Sequence, residues 1–205
     1  FPQDGATTPE IRFKGFTENW EDTTLGNICE IVGGGTPSTS VPEYWEGAID
    51  WYSPTEIGTE VYASKSVKQI TQLGLEKCSA TILPADRTVL FTSRAGIGDM
   101  AILRKDGCTN QGFQSFVLHD EIDPYFIYSM GYLITKFALK HASGSTFLEI
   151  SSKHLEKLKL FLPKNKEQAK IGTYFRNFDE LISKHATQLE KLKNIKAACL
   201  EKMFV

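Results

Sequence analysis

The chain has 205 residues, 41% of them hydrophobic and 11% aromatic, which fits one core-bearing domain with an appended element and excludes an intrinsically disordered composition. Its 23 Lys+Arg and 25 Asp+Glu give a net charge of −2. That near-balance hides an asymmetry: Lys164–Val205 carries nine basic against five acidic residues (+4), leaving fourteen against twenty (−6) in residues 1–163.

The opening "FPQDGATTPEIRF" lacks the charged and apolar parts of a signal peptide. No apolar run approaches the ~20 residues needed to span a bilayer. A cytoplasmic protein with no membrane contact is expected. In chain order, "NICEIVGGG" (Asn27–Gly35) is a short β-prone run stopped by glycines, and "AIDWYSP" (Ala48–Pro54) is a second, stopped by proline. "RTVLFTS" (Arg87–Ser93) and "GDMAILR" (Gly98–Arg104) flank the turn "RAGIG" as a hairpin would, and "GFQSFVL" (Gly112–Leu118) follows. These short runs predict a small, curved, largely antiparallel sheet. Asp123-Pro124 then opens a helix, with a side-chain cap and a preset φ, running to a stop at Gly144. "LKLFLP" (Leu158–Pro163) reads as a final strand.

The last helix is predicted to start at Asn165, with Gln168 completing a capping box. Along it Ile171, Phe175, Phe178, Ile182, His185, Leu189, Leu192, Lys196, Cys199 and Met203 alternate at spacings of four and three. Eight of the ten are apolar, which is the seam of a coiled coil. Glu167–Met203 would span roughly 55 Å at about 1.5 Å per residue, too long for a domain of this size to cover. Tyr174, Leu181, Ile195 and Leu200 widen the apolar face. The fold class is therefore α+β: a small mixed or antiparallel β-rich domain with helices over residues 1–163, then a long coiled-coil helix over 164–205. His185 and Lys196 are polar seam positions that either fix register or reach out to solvent.

Catalytic signatures are missing. "GGGTPS" (Gly33–Ser38) lacks the Gly-Lys-Ser/Thr of a phosphate loop, "AGIG" (Ala95–Gly98) is half of a dinucleotide fingerprint in the wrong context, and neither Gly-x-Ser-x-Gly nor His-Glu-x-x-His occurs. The Asn/Asp-Pro-Pro-aromatic motif of amino-methylating DNA methyltransferases is absent. The four cysteines make no C-x-x-C pair, so neither zinc nor a disulfide framework is expected, and buried free thiols are preferred. An enzyme using an unrecognised Cys or His site, such as Cys108 with His119, remains an alternative of another class.

Several segments, in order, carry a family likeness: "PEIRFKGFTENWE", "GGGTPST" before "YWEGAIDW", "LFTSRAGIG" before "CTNQGFQSF", "GSTFLEISSKHLEKLKLFLP", and "EQAKIGTYFRNFDELISKHATQLEKLKNIKAACLEKMF". Together they resemble the specificity (S) subunit of type I restriction-modification systems, nearly end to end. The resemblance implies a target recognition domain followed by a spacer helix, a pattern usually present twice in pseudo-symmetric halves whose helices pair antiparallel. It implies no catalysis and no cofactor in this chain: methyltransferase (M) subunits bring S-adenosylmethionine, and a restriction (R) subunit brings ATP and Mg. This sequence holds one such half. The implied partners are double-stranded DNA, M and R subunits, and a second copy paired through the helix as a homodimer. A regulatory or decoy half-subunit is the other role the resemblance allows.

Base reading needs directional donors and acceptors, Arg for guanine and Asn or Gln for adenine. Three glycine-flanked regions concentrate them: Thr36, Ser38 and Thr39 with Tyr44 nearby; Ser93 and Arg94; Asn110, Gln111 and Gln114. A rival is Glu56–Cys78, with Lys65, Lys68, Gln69 and Gln72, because specificity residues should vary among S subunits. Trp45 and Trp51 are expected in the core. The acidic body predicts weak, strongly salt-dependent DNA binding by the chain alone.

Overall fold

The structure is a computed structural model that describes residues 8–94, 96–144 and 148–204. Five strands form the main sheet, in spatial order β2 (Cys29–Gly33), β9 (Gln114–Leu118), β6 (Thr88–Phe91), β7 (Met100–Leu103) and β4 (Tyr62–Ala63). A three-stranded sheet has the order β5 (Lys68–Ile70), β3 (Trp45–Tyr52), β8 (Gly107–Thr109), and β1 (Glu21–Thr24) pairs with β10 (Lys159–Leu162). The expected hairpin is present: β6 and β7 pair antiparallel with Leu90 opposite Ala101. The single sheet of the sequence reading is corrected to three. Two of their pairings, β3 with β8 and β4 with β7, are parallel.

Every residue of β6 and β7 is buried, which is why both read as unbroken apolar runs. One face packs Phe91 and Phe116, stacked 5.3 Å apart, against Phe126, Ile127 and Ile134 of the helical layer. The other packs Leu90 and Leu103 against Tyr52 and Phe113.

The helical layer is α3 (Pro124–Ser129) and α4 (Gly131–His141), with one-turn helices α1 (Leu25–Ile28), α2 (Gln72–Glu76) and α5 (Ser152–Leu155) elsewhere. Asp123 caps α3 as expected, its carboxylate accepting from the Phe126 amide at 2.8 Å. The single helix predicted from Asp123 to Gly144 is instead two, divided at Met130 (φ −82°, ψ 4°), and the second stops at His141. The apolar period runs across Met130, so periodicity could not show the break.

α6 (Asn165–Met203) closes the fold. The predicted capping box is corrected: Lys164 holds the cap position and makes no side-chain bond there. Gln168 instead donates to the Pro163 carbonyl (2.9 Å) and accepts from the Asp123 amide (3.1 Å), while the Asn165 amide donates to Glu121 O (2.8 Å). Tertiary partners have displaced the local ones, tying the helix base to α3. Arg12 adds a two-pronged ion pair to buried Glu167, both N···O distances 2.7 Å. A Cβ at Gly172 would lie 2.6 Å from the Asp123 carboxylate, so glycine permits this close approach. Further up, the Tyr125 hydroxyl donates to Asp179 (2.6 Å) and Arg176 lies 5.0 Å from the Tyr125 ring. Beyond Asp179 the helix leaves the body, and every described residue from 180 to 204 is exposed. Among the described residues, no helix is long and apolar enough to cross a membrane.

Candidate nucleic-acid interface

The three glycine-flanked regions meet at one edge of the body. β2 ends at Gly33, and the glycine loop after it runs beside the β8–β9 turn: Gly35 N donates to Thr109 O at 2.9 Å. A Cβ on Gly34 would sit 2.1 Å from Asn110 O, so only glycine fits this crossing. The turn is closed by Asn110, whose side-chain carbonyl accepts from Gly112 N at 2.7 Å. Its backbone amide donates to Tyr52 O at 3.0 Å, anchoring the turn to β3. The end of β6 joins through Ser93 N, which donates to Gly112 O at 2.8 Å.

The candidates divide by what this packing leaves available. Thr36, Ser38, Thr39 and Gln111 are exposed, and the Thr36 hydroxyl donates to the Gln111 side-chain carbonyl, joining the two loops by their tips. Lys65 and Lys68 are exposed; Tyr44, Gln69, Arg94 and Gln114 are half-buried. Asn110 is also half-buried, with its carbonyl committed to the turn. Ser93 is fully buried, so its hydroxyl presents nothing to a duplex, and the Ser93 expectation is corrected on that ground. Arg94 reaches the surface one residue later, its backbone bridged to Glu149. Ala95 of the same turn lies outside the described residues.

The rival stretch reaches the same edge. Thr39, Trp45, Glu46, Val67, Lys68 and Gln69 line an open cavity of about 490 Å³. Trp51 is core, as expected, and its indole N–H donates to Gly35 O (2.8 Å). Trp45 is only half-buried, packed edge-on against Trp51 at 5.2 Å with the Lys68 ammonium 5.5 Å from its ring centre. Its expected core place is thus half right.

Beneath this edge lies a group the sequence did not single out. Asp50, fully buried in β3, accepts from Ser66 N (3.2 Å), Ser66 Oγ (3.0 Å), Gln69 Nε2 (3.1 Å) and Lys105 Nζ (2.7 Å). Burial alone would raise its pKa, but the bonds from Lys105, Ser66 and Gln69 prevail and hold it below the usual carboxylate value. The Gln69 amide is oriented by the same contact, since a carboxylate accepts only and must face Nε2. A charged residue between Ile49 and the aromatic pair Trp51-Tyr52, "IDWY", was the available signal.

The two fully buried thiols are poor nucleophiles. Burial pushes Cys29 and Cys108 up to about 12, so neither is a thiolate at neutral pH. His141 and His154 stack 6.4 Å apart, and among the described residues no three His, Cys, Asp or Glu side chains are grouped to hold a metal.

Residues 17–194 match the family model for the type I restriction modification DNA specificity domain. The chain is 32% identical over 192 residues to the type I restriction enzyme MjaIX specificity subunit of Methanocaldococcus jannaschii, covering 92% of this chain and 44% of that protein. It is 32% identical over 180 residues to the EcoR124I/EcoR124II specificity subunit of Escherichia coli, covering 83% of this chain and 43% of the relative. The chain therefore spans less than half the length of these curated relatives. Among solved structures, the HsdS subunit of Thermoanaerobacter tengcongensis superposes with a TM-score of 0.63 at 18% identity, over 89% of this chain and 41% of that one. A chain described for complex assembly and conformational transition of the type I R-M system superposes with a TM-score of 0.70 at 21% identity, over 98% of this chain and 48% of its own length. This chain belongs to the family of type I restriction-modification DNA specificity domains.

Proposed function

We propose that this chain is a non-catalytic sequence reader that recognises one half of a split duplex target within a type I restriction-modification complex. The observation that carries this reading is the convergence of the glycine loop, the β8–β9 turn and β5 on one edge. It joins Thr36 to Gln111 and sets Thr39 and Lys68 around one open cavity, all four side chains exposed. Loops held by a scaffold can enter a groove without losing their geometry. Hydroxyl, amide and ammonium groups are the chemistry of base readout.

The acidic body supplies few phosphate contacts, so M subunits provide the clamp and the methyl transfer from S-adenosylmethionine, while this chain provides the base contacts. An R subunit with ATP and Mg would add cleavage. The exposed rod of α6 is the spacer. Paired with a second copy, it would hold two identical heads in inverted orientation, reading a split palindrome.

The test is reconstitution of the chain with its M partner on a randomised duplex library, followed by sequencing of methylated products. A symmetric split motif is expected, and alanine at Gln111 and Lys68 should degrade it at defined positions. A methyltransferase that the chain inhibits would favour the regulatory half-subunit. Methyl transfer or hydrolysis by the chain alone would overturn the non-catalytic reading.

A further inference from the structure

Gln69 is half-buried on β5, an outer strand of the three-stranded sheet, directly opposite Asp50 of β3. Cross-strand partners share a face, and here the side chains meet, Gln69 Nε2 donating to Asp50 Oδ1 at 3.1 Å. The other groups on this carboxylate are Ser66, on the same oxygen, and Lys105, on the second. An ionised carboxylate has no proton to give, so the amide cannot turn over: Nε2 is held inward and Oε1 is left free. Among the described residues nothing donates to Oε1, and Gln69 lines the open cavity beside Trp45, Glu46 and Lys68.

We propose that Gln69 is a base reader of fixed polarity, whose Oε1 accepts from the exocyclic amino group of adenine or cytosine and rejects guanine and thymine, with Asp50 as its positioning residue. The inference rests on the duplex-reading function proposed above and names the class of base read at one position of the half-site.

In the major groove adenine and cytosine each present an amino donor, N6 or N4, where thymine and guanine present a keto acceptor, O4 or O6. A freely turning glutamine meets adenine with both amide atoms, accepting from N6 and donating to N7. Gln69 cannot, because its donor is committed to Asp50. A lone acceptor sorts amino bases from keto bases and does not separate adenine from cytosine. Donation to the carboxylate also polarises the amide and strengthens Oε1 as an acceptor. The Glu46 carboxylate on the same wall only accepts, and so favours the same amino groups. Glu46 has a φ of 60°, which few residues bearing a side chain adopt, and lies where β3 shifts register against β5 between Trp45 and Ile49. Such irregularities re-aim side chains beside binding sites.

The test uses the full chain reconstituted with its M partner, with methylation rates measured on duplexes carrying each base pair in turn at every position of the half-site. Gln69→Met, similar in size but without the amide, should slow methylation about tenfold for adenine and cytosine at one position. Guanine and thymine there should be unaffected, so the amino preference disappears. Asp50→Ala releases the amide and should favour adenine over cytosine at that position. Asp50→Asn, which keeps an acceptor in place, should restore the wild-type pattern. Glu167→Gln, a destabilised control remote from the edge, should not shift it. Equal rates on adenine and cytosine in folded Asp50→Ala would overturn the role of Asp50, and if that variant does not fold the Gln69→Met pattern decides. A Gln69→Met loss confined to adenine would show a freely turning amide, and a loss at guanine or thymine an outward Nε2; either overturns the proposal. An unchanged motif in Gln69→Met also overturns it, while the duplex-reading function stands. Absence of sequence-specific methylation by the wild-type complex would overturn that function and this inference with it.

Discussion

The head and the distal rod solve the burial problem in opposite ways. In the head, β6 and β7 are covered on both faces, and even a charged residue, Asp50, is enclosed with a partner for each carboxylate oxygen. In the rod, Leu181, Ile182, Leu189, Leu192 and Ile195 are each at least 50% exposed. A helix of that length derives most of its stability from packing of its apolar face. The head covers its own apolar core, whereas the apolar side chains of residues 180–204 are left open. The border lies near Asp179, the last side chain of α6 tied to the body by a bond to Tyr125.

The largest effect that would sharpen this contrast is in the core. Phe116→Ala removes a fully buried ring and should cost the head about 3–5 kcal/mol, read as a lower denaturant midpoint. Leu189→Ala should leave the head's unfolding unchanged and weaken only self-association. Equal effects of the two substitutions would erase the distinction.

Next comes the buried carboxylate. Asp50→Ala leaves Lys105, Ser66 and Gln69 without their acceptor and should cost on the order of 2–3 kcal/mol. Its folded-state pKa is depressed, so its contribution is present above the unfolded value of about 3.9 and is lost as pH falls through the folded one. Asp50→Asn should therefore flatten the acid limb of the stability curve below about pH 4. An unchanged acid limb would show the network contributes little. A smaller loss is expected for Glu167→Gln, which breaks the two-pronged pair to Arg12. It should lower the melting temperature and expose the segment around Arg12 to protease, with no change at the reading edge.

The smallest effect is chemical. Cys199, exposed on the rod, should be alkylated first at neutral pH, and Cys29 and Cys108, buried with thiols near 12, last. Self-association should slow Cys199 alone, because it lies on the seam.

Local signals carried much of the fold. The β6–β7 hairpin followed from two apolar runs around a glycine turn, and the α3 cap from Asp123-Pro124. Signals that need a distant partner did not show. Arg12 and Glu167 are 155 residues apart, and nothing near either announces the pair. The capping box at Asn165 and Gln168 was a sound local pattern, but packing gave both side chains other work. At the reading edge, sequence found the loops and missed their foundation. Ser93 read like its neighbour Arg94, yet Ser93 is enclosed beside the β8–β9 turn, its amide bonded to Gly112 O, while Arg94 is only half-buried.

Hydrogen exchange followed across chain concentration tests the contrast most directly. The account predicts that amides of β6, β7 and α3 stay protected throughout, and that those of residues 180–203 gain protection only as the chain self-associates or binds its M partner. A rod protected as strongly as the head at concentrations where the chain is a lone monomer would contradict it.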